Sequence, residues 1–152
     1  MTTTTIGMVR DSNKRTALEG LDVRGKGVLD VGGYDGRFAN ELHQKGAISA
    51  TVIETRQYME YEAYPVPKGY IGVDYWYGDL QKWFTPEHIV MCFDVLYHLK
   101  APYPFVEHLY RLTKEVLCLS TRITEGDGIQ WTLLAPREVH PDPTVYWKPT
   151  RR

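Results

Sequence analysis

The stretch Gly27-Val28-Leu29-Asp30-Val31-Gly32-Gly33-Tyr34-Asp35-Gly36 constrains the fold more than any other part of this 152-residue chain. A short apolar run bounded by glycine reads as a strand buried on both faces, and such strands belong to parallel sheets covered by helices. The glycine-rich turn leads into Arg37–Lys45, where Phe38, Ala39 and Leu42 recur at helical spacing and Gly46 closes the helix. Strand, turn and helix then alternate along the chain. Ser49–Glu54 is a second strand and Arg56–Tyr64 a helix stopped by Pro65 and Pro67. Tyr70–Val73 and His88–Phe93 are the next strands. Leu99–Pro104 reads as a proline-broken loop, Phe105–Lys114 as an amphipathic helix and Glu115–Ser120 as a fifth strand. Upstream, Ser12 can cap a helix running to Leu21. Alternation of this kind predicts an α/β fold with a mainly parallel sheet in one domain spanning 1–152. Right-handed crossovers predict the order 3-2-1-4-5, with a ligand crevice beyond the first strand, where the order reverses. Ile129, Trp131 and Leu133 alternate as a short strand on the sheet edge would, and Pro136–Arg152 reads as irregular.

Composition narrows the class. The formal net charge is −1, so bulk charge gives no support for a nucleic-acid binder, and no DNA partner is expected. No apolar run approaches the roughly 20 residues of a membrane helix. Met1–Thr5 is polar and lacks a secretory core, which makes the cytoplasm the expected compartment. The 2 cysteines, Cys92 and Cys118, sit singly in apolar runs, and the 5 histidines lack metal-ligand spacing, so no metal site is expected.

The glycine turn does not fit the dinucleotide pattern GxGxxG, because Tyr34 stands where the second glycine belongs. That disfavours a nicotinamide-dependent oxidoreductase. No Gly-Lys-Ser/Thr follows, so it is no Walker loop either. What remains is the acid Asp30, a turn stripped of bulk at Gly32, Gly33 and Gly36, and a helix N-terminus that favours a carboxylate. A ligand carrying a carboxylate and an adenosine fits such a turn. Asp30 either braces the turn or touches that ligand. Glu54 follows Asp30 by 24 residues and ends the next strand, the place from which an acid accepts both ribose hydroxyls. Asp79 in the following loop can accept an adenine amine, with Leu80 or Tyr77 beside the ring. Tyr97 and His98 come just after the fourth strand, on the crevice side. A histidine with its ordinary pKa of about 6.5 can serve there as general base, or simply bond a loop carbonyl.

Val28-Leu29-Asp30-Val31-Gly32-Gly33-Tyr34-Asp35-Gly36-Arg37-Phe38 resembles motif I of the class I S-adenosylmethionine-dependent methyltransferases, whose fold is Rossmann-like. The order Asp30, Glu54, Asp79 matches that family's motif I, ribose acid and adenine acid. Phe93-Asp94-Val95-Leu96-Tyr97-His98-Leu99-Lys100-Ala101-Pro102 resembles the "GVLYHLRDP" segment of a subgroup that includes wobble-uridine tRNA carboxymethyltransferase-like proteins. The resemblance covers roughly Arg15 to Trp147. It implies S-adenosylmethionine as cofactor, bound by Asp30, Gly32, Gly33, Tyr34, Gly36, Glu54, Asp79, Leu80 and Phe93. It implies a small-molecule or RNA acceptor facing Tyr97 and His98. Ordinary and carboxylated forms of the cofactor both stay open. Three departures stand out. Tyr34 replaces the middle glycine, Asp94 stands where the subgroup often has glycine, and the chain ends soon after Tyr146-Trp147-Lys148-Pro149. The expected sheet therefore lacks the family's last two strands. Its fifth strand would be left at an edge that a homo-oligomer could cover. The competing function is a cofactor-binding module without transferase activity, acting as a partner subunit or regulator.

Overall fold

The computed structural model describes residues 6–55, 64–73, 85–121, 131–133 and 147–149. Five strands form one parallel sheet: β1 (Gly27–Val31), β2 (Ser49–Thr55), β3 (Tyr70–Val73), β4 (Glu87–Phe93) and β5 (Thr113–Ser120). Their order is β3-β2-β1-β4-β5, as the alternation of elements predicts. β1 lies at the centre, Val28 against Ala50 on one side and against Ile89 on the other, with every residue buried.

The period of two along the strands sorts side chains into two cores. Leu29, Val31, Ile53, Val90 and Cys92 face one side, where Phe105, Leu109 and Leu112 cover them. Val28, Ala50, Val52 and Met91 face the other, under Leu18, Phe38, Ala39 and Leu42. The first cover comes from α3 (Pro102–Arg111), the second from α1 (Ile6–Glu19) and α2 (Arg37–Gln44). Asp30 shares the parity of Val28. Its side chain is therefore sent toward α2, into an apolar layer, and this decides its chemistry. Both cysteines are free thiols. Among the described residues, no helix is long and apolar enough to cross a membrane.

Three boundaries differ from the sequence reading. α1 begins at Ile6 rather than after Ser12. A serine inside a helix costs only a few tenths of a kcal/mol, so a capping residue permits a start without imposing one. α3 begins at Pro102, inside the segment read as a proline-broken loop, and ends at Arg111. Pro102 and Pro104 fall in its first turn, where backbone N–H groups have no helical partner and proline costs nothing. Finally, Trp131–Leu133 does not extend the main sheet. It forms β6 and pairs antiparallel with β7 (Trp147–Pro149), Leu133 opposite Trp147, within a stretch read as irregular. Pro149 is tolerated because both strands of a two-stranded sheet are edges. β7 runs beside a short 3-10 turn, Leu96–His98, that follows β4. The expected helix over 56–64 lies outside the described residues, apart from Tyr64.

Candidate functional site

The carboxyl ends of β1, β2 and β4 meet at one place, beside the N-terminus of α2. The turn after β1 is built from left-handed residues. Gly32 (φ 76°), Tyr34 (φ 51°) and Gly36 (φ 73°) all lie there. Tyr34 is the costly one, because a side chain in that region is uncommon and bulky residues are strained in it. Its backbone N–H donates to Glu54 Oε2 at 2.9 Å, a charge-assisted bond that helps hold the conformation. The Gly32 N–H donates to the Ile53 carbonyl at 2.8 Å, and the Gly36 N–H to the Gly33 carbonyl at 2.8 Å. Gly33 packs its bare Cα on Asp30: a Cβ there would stand 2.6 Å from Asp30 Cγ.

Glu54 is only 4% exposed. Oε2 accepts from Tyr34, while Oε1 accepts the Thr55 N–H at 2.6 Å and the Thr55 hydroxyl at 3.1 Å. Burial raises its pKa, and these donors oppose the rise. A carboxylate has about four lone-pair sites, so acceptor capacity remains. Asp30 is more extreme, at 1% exposed. It accepts the Ala39 backbone N–H, which caps the first turn of α2 from a distance, and its Oδ2 is buried with no partner among the described residues. Desolvation, reinforced by the Glu54 charge, pushes its pKa to about 7.

Around this floor, the Tyr70 hydroxyl lies 2.7 Å from the Asp35 carbonyl and 2.8 Å from the Tyr64 carbonyl and shares its one proton between them, tying β3 to the glycine turn. Burial pushes that phenol up to about 12. Asp35 is held in turn by Arg37 at 2.7 Å. Phe93 at the end of β4 meets Phe38 edge to face, centroids 5.5 Å apart. Tyr97 and His98 lie in the Leu96–His98 turn, their rings 4.3 Å apart. Tyr97 is only 3% exposed, and His98 is half-buried. Asp79 and Leu80 lie outside the described residues.

A sequence model of one family, described as a methyltransferase domain, matches residues 9–145. The chain belongs to that methyltransferase family. No curated protein matches it significantly. Among solved structures, a Haloferax volcanii protein in complex with the Trm112 methyltransferase activator is 18% identical, at TM-score 0.63, over 77% of this chain and 55% of that one. An S-adenosylmethionine-dependent methyltransferase from Mesorhizobium loti is 17% identical at TM-score 0.60, over 82% and 59% of the two chains. Magnesium protoporphyrin IX methyltransferase from Synechocystis, solved with bound S-adenosylhomocysteine, is 22% identical at TM-score 0.60, over 76% and 55%. These likenesses establish the Rossmann-like fold. The chain spans between 55% and 59% of the length of these three relatives.

Within the methyltransferase domain, the structure places Asp30, the glycine turn, Glu54 and Phe93 at the carboxyl ends of β1, β2 and β4. The Tyr97–His98 turn follows the same end of β4. Sequence reasoning missed Lys14 and Tyr70. Lys14 Nζ bonds Asp94 Oδ2 at 2.9 Å, just beyond β4. The signal was available: Lys14 precedes the core residue Leu18 by one helical turn, so a charge stands on the inward stripe of α1. Tyr70 carries no such mark, because a strand tyrosine looks the same whether or not its hydroxyl braces a turn.

Proposed function

We propose that this domain binds S-adenosylmethionine on the Gly32–Gly36 turn and transfers its methyl group to a small-molecule or RNA acceptor. The observation that carries the reading is Glu54, a buried carboxylate at the end of β2 whose two oxygens are held in place by the Tyr34 and Thr55 amides. The residues fit the cofactor. Gly33 keeps side-chain bulk out of the turn, Glu54 retains acceptor sites for ribose hydroxyls, and the orphaned Asp30 Oδ2 lacks a donor. Asp79 and Leu80 complete the proposed adenine side and Phe93 the methionine side.

When bound, the cofactor supplies a sulfonium methyl group, an electrophile that needs no further activation. The chain's own work is then to position the acceptor, which can supply several kcal/mol of rate enhancement. His98 takes a proton from an acceptor that carries one, and Tyr97 sets the ring of His98 by direct contact. The Leu96–Leu99 segment supports placing the domain near the wobble-uridine carboxymethyltransferase-like subgroup. The free edge of β5 supports self-association, since among the described residues it pairs with β4 alone. Sedimentation showing monomer at all concentrations would remove that part.

One observation favours a second reading. Tyr97 is buried and β7 runs beside its turn, as in a cofactor-binding module whose acceptor side is closed. Calorimetric titration with S-adenosylmethionine and S-adenosylhomocysteine tests what both readings share. Micromolar binding that weakens at least tenfold in Glu54→Ala is the expected result, and a folded protein that binds neither ligand overturns both. Incubation with S-adenosylmethionine and fractionated metabolites or RNA separates them: a transferase produces S-adenosylhomocysteine with some fraction, and a module with none.

A further inference from the structure

The two most exposed large apolar side chains among the described residues stand together. Tyr103 is 76% exposed and Tyr110 73%, both on α3. Seven residues of helix place them about 10 Å apart along the axis and within about 20° around it. Phe105 and Leu109 hold the core side of α3, so the two tyrosines share the opposite, outward face. The charge along this stretch is mostly of one sign. From Lys100 to Lys114, three cations, Lys100, Arg111 and Lys114, stand against the single acid Glu107, in a chain whose formal net charge is −1. All four are exposed, and among the described residues no ion pair engages Arg111 or Lys114. α3 starts three residues after the Tyr97–His98 turn. Its outward face therefore begins beside the side assigned to the acceptor and leads away from it for about 15 Å. Packing asks for neither ring. Tyrosine is a poorer helix former than the alanine, glutamate or lysine that serves a solvent-facing position well. A lone exposed aromatic is ordinary, whereas two on one line of a helix form a surface.

We propose that the outward face of α3 is a docking track for single-stranded RNA, the strand whose acceptor nucleotide lies at the Tyr97–His98 turn. Bases stack on Tyr103 and Tyr110. Every base has a π-face, so the track holds the strand without reading its sequence. Arg111 and, just past the helix, Lys114 meet phosphates, and Lys100 does so at the end next to the turn. The chain's bulk charge does not draw in a polyanion, but a local group of cations acts within a Debye length of about 10 Å. Glu107 lies between the two tyrosines and decides between partners. A protein contact would take that carboxylate out of water, which is costly, and interface cores are depleted of acids. Stacked bases leave it solvated, and it serves only to weaken the hold on a substrate that must later leave.

This inference rests on the RNA branch of the proposed function. Fluorescence anisotropy with a fluorescein-labelled oligouridylate of about twelve nucleotides, at about 50 mM salt, tests it. The unsubstituted protein is expected to bind the oligonucleotide in the micromolar range and to lose affinity as salt rises. Tyr103→Ala and Tyr110→Ala should each weaken binding at least about fivefold. Tyr103→Phe and Tyr110→Phe keep the ring and should stay within about twofold. Arg111→Gln should weaken binding about threefold and flatten its salt dependence. Glu107→Gln should tighten it about twofold. These side chains face solvent, so circular dichroism should show each variant folded like the unsubstituted protein. S-adenosylhomocysteine, titrated in parallel by calorimetry, should bind all of them alike and reads the cofactor site separately. An unsubstituted protein that leaves the oligonucleotide free at this salt overturns the proposal, and so does binding that ignores both alanine substitutions. If those substitutions change the protein's sedimentation and not its oligonucleotide binding, the face is a protein contact and the track is wrong. Where the oligonucleotide fails to bind and S-adenosylhomocysteine binds, the cofactor reading stands with a small-molecule acceptor.

Discussion

Asp30→Asn is expected to stabilise the free domain at pH 8 by about 2–3 kcal/mol and to destabilise it near pH 4 by about 1 kcal/mol. The folded protein holds this carboxyl at a pKa of about 7, against an ordinary value of 3.8. Burial is the first cause and the charge on Glu54 the second. A raised acid pKa means that the folded state prefers the protonated form. Its contribution to stability is fully present below pH 3.8 and is lost as pH climbs through about 7. A gap of about 3 units corresponds to roughly 4 kcal/mol at full ionisation. Asparagine cannot ionise, so it escapes that loss. Its carbonyl can still accept the Ala39 N–H that caps α2, and its amide then stands unpaired where Oδ2 stood, which cancels part of the gain. Urea titrations at several pH values from 4 to 8 check this, and parallel stability curves for the two proteins would refute it. Glu54 is displaced in the same direction by burial and adds to the slope. These two carboxyls therefore contribute more to stability on the acidic side of neutrality than at pH 8. A protein selected for stability alone would not keep two carboxylates in this position. Under the proposed function a bound ligand supplies the missing donors, and Asp30→Asn should then lose affinity for the cofactor as it gains stability.

The sheet order was legible because it depends on periods that apolar residues announce. Val28, Leu29 and Val31 declare a strand buried on both faces, and the crossover rule leaves few arrangements. Glu54 was legible for a related reason, since a charged residue at the end of a buried strand has few structural excuses. What escaped reading depends on contacts between segments distant in sequence. Pro102 and Pro104 look like helix breakers until the start of α3 is known to lie at Pro102. Trp131–Leu133 announces a strand and not its partner, because three residues of alternation cannot tell a sheet edge from a separate pair. The protonation of Asp30 needs its burial and the Glu54 charge together, and neither is a property of the residue alone. The Lys14–Asp94 pair spans 80 positions and was visible only as a lysine on the wrong face of a helix.

Gly36→Ala is expected to destabilise the domain by about 2–4 kcal/mol, and adding Tyr70→Phe to it is expected to cost little more. Two costs act at this glycine. Its backbone is left-handed (φ 73°, ψ 14°), so a residue with a Cβ is strained there by about 1 kcal/mol. The new Cβ would also overlap the Tyr70 hydroxyl and stand 2.9 Å from Tyr70 Cζ and 3.0 Å from Val66 Cγ2. The tyrosine cannot yield cheaply. Its hydroxyl shares one proton between the Asp35 and Tyr64 carbonyls, and moving it gives that bond up. Tyr70→Phe alone forfeits the same shared bond and should cost about 1 kcal/mol. The two losses overlap. In the double variant the hydroxyl is absent, so the closest overlap is relieved while the contacts to the ring Cζ and to Val66 remain. A double-mutant cycle by urea denaturation should then give a coupling of at least about 1 kcal/mol, the double variant being more stable than additivity requires. Strict additivity would mean that backbone strain alone makes Gly36 necessary. Coupling would mean that the turn is shaped from outside, by a β3 tyrosine pressed against it, and that the crevice floor depends on that brace before any ligand arrives.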